Sequence, residues 1–104
     1  MSDDRKIMLA LQEGFKDDSV RISVGDRLVH WLDHVKTRTQ LGLAHTLELN
    51  LPAGNDPVQV ELPGKDVRIS IDPGRTDALY WGVSVSPNGK AMYVKRSAEP
   101  FGYA

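Results

Sequence analysis

The spacing of apolar residues changes once along this chain. Over residues 3–15, Ile7, Met8, Leu11 and Phe15 fall at i, i+1, i+4 and i+8, which on a helical wheel makes one stripe. Ser2 or Asp3 is placed to cap such a helix, the acids of its first turn suit its positive end, and Gly14 marks its stop. The pattern predicts a short N-terminal helix over 3–15, one that needs a surface to lie on. After Asp18 the period falls to two. "VRISV" sets Val20, Ile22 and Val24 against Arg21 and Ser23, and "TRTQLGLAHTLELNL" puts Leu41, Leu43, Leu47, Leu49 and Leu51 on one face. "VQVEL", "VRISI", "LYWGVSV" and "AMYV" continue the alternation. Between these runs lie "PAGNDP", "PGKD", "DPGRTD" and "SPNG", all of turn composition. Short alternating runs with Pro and Gly punctuation predict a mainly β domain of about six or seven antiparallel strands, a sandwich or small barrel.

One stretch supports two structures. As a helix over 26–37, Leu28, Val29, Trp31, Leu32 and Val35 span roughly 160° of the wheel and leave His30 and His34 on the opposite face. As a hairpin, Gly25–Asp26 is a two-residue turn, Ile22 faces Val29 and Val20 faces Trp31. Val29, Trp31 and Val35 then join the apolar face, while Leu28, His30, Leu32 and His34 take the other. β-branched and aromatic residues and the neighbouring strands favour the hairpin. The alternative is an α+β domain with a second helix at 26–37.

"VSVSPNGKAMYV" is the clearest local unit. Asn88–Gly89 suits a tight turn, with Val83 and Val85 before it and Met92 and Val94 after. The unit is similar to a strand pair from a β-propeller blade, but a propeller needs several copies and the chain has one.

Composition narrows the chemistry. With 104 residues, 40% apolar and 26% charged, the chain is expected to form a single globular domain over 1–104: the helix, a β-rich core over 19–96 and a tail over 97–104. It has no cysteine, so disulfides, thiolate metal sites and cysteine nucleophiles are excluded. No stretch has the length of a signal peptide's apolar core or of a membrane helix, and a cytoplasmic protein with no membrane contact is expected. The net charge is −1, and the balance is local: −2 over residues 1–18, +1 over 19–51 and zero over 52–104. No basic block marks a nucleic-acid face, which disfavours such a partner, although folding can gather scattered Lys and Arg.

The histidines offer one chemical reading. A metal site built on His30, His34 and His45, with Asp33 or Glu48 in support, needs the helical form of 26–37, where His30 and His34 stand one turn apart. In a strand they are roughly 13 Å apart and cannot share an ion. Trp31 occupies the place of the glutamate that a zinc-protease motif requires, so ordinary surface histidines are the simpler reading. "ISVGDRLVHW" and "AHTLEL" together resemble the early strands and the histidine-bearing strand of a cupredoxin. That resemblance implies a β-sandwich, but the copper thiolate cysteine is missing, so a blue-copper site is excluded. Ser19, Ser23, Ser70, Ser84, Ser86 and Ser97 leave Ser/His/Asp chemistry open, yet there is no G-x-S-x-G elbow. "PGKD" and "PNGK" are too short for phosphate loops. Asp72 and Asp77 lack the calcium-loop pattern.

The last quarter holds Tyr80, Trp81, Tyr93, Phe101 and Tyr103. Alternation sends Trp81 to the core with Leu79, Val83 and Val85, and places Tyr80, Gly82, Ser84 and Ser86 on the opposite face, where Tyr93 can join them beside the gap at Gly82. Tyr, Gly and Ser on one sheet face make a binding surface, and cross-strand packing is the plainer alternative. The expectation is a non-catalytic accessory protein that binds a protein partner, a second copy or a small ligand through Tyr80, Tyr93, Phe101 and Tyr103, with no cofactor. The second reading is a metal binder or small metal-dependent enzyme using His30, His34 and His45.

Overall fold

A computed structural model describes residues 5–38, 40, 42–51, 56–72, 79–99 and 101. Among them are eight strands: β1 (Arg5–Leu11), β2 (Lys16–Val24), β3 (Arg27–Lys36), β4 (His45–Leu51), β5 (Val58–Leu62), β6 (Val67–Ile71), β7 (Tyr80–Val85) and β8 (Met92–Ser97). They form two four-stranded sheets, ordered β4-β1-β7-β8 and β3-β2-β5-β6. All neighbours are antiparallel except β1 and β7, which run parallel with Met8 opposite Tyr80 and Leu11 opposite Val83.

The alternation read from the sequence faces the core. Val20, Ile22 and Val24, Val58, Val60 and Leu62, and Val67 and Ile71 from one sheet meet Ile7, Leu9 and Leu11, Leu49 and Leu51, and Trp81, Val83 and Val85 from the other in one hydrophobic cluster. Trp81 is fully buried at its centre. The sheets are stacked in a sandwich-like arrangement and are not joined into a closed barrel. On one side β6 lies against β8, and Arg96 of β8 caps Trp81 with its guanidinium 5.3 Å from the ring centre while donating to the Asp72 carbonyl at 2.6 Å. None of the described residues forms a helix long and apolar enough to cross a membrane.

The expected N-terminal helix is a strand. Residues 5–11 form β1, flanked on both edges by β4 and β7, and residues 12–15 form a connection. Ile7, Leu9 and Leu11 are buried at a period of two, and Ala10 is buried on the opposite face. Met8 and Ala10 on the outer face are apolar as well, so this central strand reads as a nearly continuous apolar run, which periodicity alone does not separate from a buried helix. Pairing on two edges outweighs the helix propensity of Met, Leu and Ala.

The segment at 26–37 is also a strand, and the hairpin expectation holds with Val24 opposite Arg27. Its middle, Val29 to Leu32, is reversed, while Leu28 is exposed and Val35 buried as expected. Ile22 lies opposite His30, Arg21 opposite Trp31 and Val20 opposite Leu32. A bulge at Leu28–Val29 inserts one residue and turns the side chains as far as Leu32 to the other face, and the register shifts again before Val35. Trp31 therefore stands outward at 47% exposure and Val29 is exposed, while Leu32 packs on the core.

Candidate functional site

The β7–β8 hairpin positions the aromatic residues of the last quarter. Its turn differs from the tight two-residue form expected. Ser86 N–H donates to the Ala91 carbonyl, Gly89 N–H donates to the Ser86 carbonyl, and of the two turn residues only Gly89 has a positive φ, +73°. The Asn88 side chain accepts from Lys90 N–H and from the Ser86 hydroxyl, which closes the longer loop. The strand register is unaffected: Val83 faces Val94 and Val85 faces Met92.

On the outer face of this sheet, Tyr80 lies opposite Met8 on one side and Ser97 on the other. Gly82 lies opposite Ala10 and Lys95, and Ser84 opposite Tyr93. Tyr80 is half-buried, whereas Tyr93 is 59% exposed, more than Leu28, Val29, Trp31 or Leu79. Four residue positions separate the Tyr80 and Tyr93 rungs, about 13 Å at 3.3 Å per residue, with Lys95 between them. Phe101 joins this face, half-buried with the Lys95 ammonium 5.9 Å from its ring centre. Tyr103 lies outside the described residues. The expected gap at Gly82 is filled: a Cβ there would meet the side chain of Gln12, which lies over the glycine. Lys95 was absent from the sequence-based site, although a period of two from Tyr93 puts it on the same face.

The histidines do not converge. His30 is half-buried opposite Ile22, His34 is exposed, and His45 opens β4. Among the described residues no group of three or more His, Asp or Glu side chains is placed to hold a metal ion. His34 has a different task. It and Asp17 both have positive φ, 58° and 63°, and both sit where the β2–β3 register shifts. Each is the extra residue of a bulge, and the two offsets cancel, so Lys16–Lys36 and Val20–Leu32 share one register. The His34 Nδ1 to Asp17 Oδ1 distance of 2.9 Å ties the two bulges together.

Nearby, Ser19 donates its hydroxyl proton to Asp33 at 2.9 Å, and the Trp31 indole N–H donates to the same oxygen at 3.1 Å. The hydroxyl proton is thus committed to a carboxylate rather than to an imidazole, which does not match the Ser–His hydrogen bond of a nucleophilic triad. Arg21 stacks on Trp31 at 5.0 Å and pairs with Glu61 at 3.1 Å, so one rung across the second sheet reads Trp31, Arg21, Glu61, Arg68.

Where the connections 12–15, 37–44, 63–66 and 86–91 gather at one end of the two sheets, Thr37 holds two of them together. Its hydroxyl donates to the Gln12 carbonyl at 2.7 Å and accepts from Phe15 N–H at 3.0 Å, and its own N–H donates to the Phe15 carbonyl. Beside it an open groove of about 790 Å³ lies between the end of β3 and the start of β4, with Lys36, Arg38, His34 and His45 in its lining. No family model matches this chain, and neither the curated proteins nor the solved structures provide a match.

Proposed function

We propose that this protein is a non-catalytic binding module whose contact surface is the outer face of the β4-β1-β7-β8 sheet, centred on Tyr93 and Lys95 and flanked by Tyr80 and Phe101. One observation carries this reading: Tyr93 is the most exposed large apolar side chain among the described residues, and it shares its sheet face with a lysine and two more aromatics. Aromatic side chains with a polar tip bury large area at low entropic cost when a partner covers them. The partner is a protein or a second copy of the chain, and a cytoplasmic setting is part of the proposal.

A second reading rests on the opposite sheet. Leu28, Val29 and Trp31 are exposed together at the β3 edge, a smaller patch whose tryptophan is already engaged by Arg21 and Asp33.

The test is a photo-crosslinking amino acid placed in cells at position 93, at position 31 and at Arg68 as a control on the far strand of the second sheet. Adducts concentrated at 93, and lost when Tyr80→Ala and Phe101→Ala are combined, support the first reading. Their masses separate a self-adduct from a different protein. Adducts concentrated at 31 move the surface to β3, and equal yields at all three positions reject both.

A further inference from the structure

The groove beside Thr37 is distinct from the sheet face just described. Leu32 and Ala44, both half-buried and packed on the core, give it an apolar floor. Lys36, Arg38 and His45 line it, and their side chains make no hydrogen bond or ion pair with another described residue. One carboxylate, Asp33, is in the lining, and Glu13 lies against Gly42 beside it. Asp33 accepts from Ser19 and Trp31 on the outer sheet face, and Asp17 is joined to His34. Among the described residues the groove thus presents two cations without an ion-pair partner, an imidazole, and one carboxylate whose Oδ1 is already engaged by Ser19 and Trp31, around a half-apolar floor. Its volume, about 790 Å³, falls within the range of small-molecule sites. The backbone behind the cations is fixed: Arg38 N–H donates to the Leu43 carbonyl, Gly42 N–H donates to the Arg38 carbonyl, and Thr37 clamps the strand end.

We propose that this groove binds a small organic phosphate, with the phosphate held by Lys36, Arg38 and His45 and the apolar body lying over Leu32 and Ala44. Guanidinium and ammonium groups bind a dianionic head by short charge-assisted hydrogen bonds, and the imidazole adds a third donor. A simple carboxylate uses only part of that donor set.

An amide-resolved NMR titration tests this with four probes: phenyl phosphate, inorganic phosphate, benzoate and benzyl alcohol. Phenyl phosphate is expected to shift the amides of 32–38 and 42–45 saturably. Inorganic phosphate and benzoate should shift the same amides at least about tenfold more weakly, and benzyl alcohol should leave them in place. Lys36→Ala with Arg38→Ala should weaken phenyl phosphate by about tenfold or more. Lys6→Ala with Arg27→Ala, which removes equal charge at the other end of the sheets, should not. Both pairs are exposed, and the dispersion of the same spectra reports their folding. Unsaturable shifts, benzoate binding as tightly as phenyl phosphate, or equal losses from the two double variants would each overturn the proposal.

Discussion

Gly14 has a φ of +89°, and a Cβ built on it would overlap the carbonyl oxygen of Val85. That oxygen belongs to backbone, and Val85 N–H in turn donates to the Glu13 carbonyl at 2.7 Å, so neither side can give way without breaking the junction between the first connection and the end of β7. Gly14→Ala combines a left-handed backbone with a main-chain collision and is expected to cost at least about 2 kcal/mol, read as a lower urea midpoint with an unchanged slope. The sequence shows Gly14 only as a stop signal, since its true constraint is a contact with a strand in the last quarter of the chain. Trp81 and Lys95 are legible from local alternation. Trp31 is not, because its outward direction depends on a residue inserted at Leu28–Val29 that leaves no mark in composition.

At the level of elements, the two compensating bulges of the β2–β3 pair set the shape of the longest hairpin. His34 occupies a left-handed conformation that costs an L residue other than Gly, Asn or Asp about 1 kcal/mol, and its exposed contact with Asp17 returns little. His34→Gly is therefore expected to leave thermal stability unchanged or raise it by a few tenths of a kcal/mol. His34→Val should lower stability by about 1 kcal/mol or more, since a β-branched residue is least tolerated at positive φ. Calorimetry on the two variants checks this. A large loss from His34→Gly would mean that the imidazole contact, rather than the backbone, holds the bulges. Most elements were legible from period and punctuation: β2 and β5 to β8 follow the alternating runs. β1 was not, because apolar Met8 and Ala10 on its outer face mask the alternation of Ile7, Leu9 and Leu11. The leucine pattern over 37–51 joins the loop before β4 to the strand itself, whereas in the structure the strand begins only at His45.

At the level of the molecule, charge and order are both redistributed by folding. Lys16, Lys36, Arg38, Lys65 and Lys90, scattered along a nearly neutral chain, come to the end where the connections gather, with Asp18 answering Lys65 at 3.1 Å. That gathering needs the strand order, which no local pattern contains. Cooperativity should follow the topology. β1 is paired on both edges and lies over the core centre, while β3 is an edge strand broken by bulges. Hydrogen exchange is expected to be slowest at Leu9, Leu11 and Val83 and fastest along β3, and the reverse order would contradict the pairing described. The parallel contact of β1 with β7 has a further consequence for biosynthesis. By the time Ile71 has left the ribosome, every strand of the β3-β2-β5-β6 sheet is available, but β1 has only β4 beside it. The other edge of β1 waits for the segment beginning at Tyr80, so a translational pause between these points holds a finished sheet against a half-built one, with an open apolar edge exposed to chaperones and to other nascent chains.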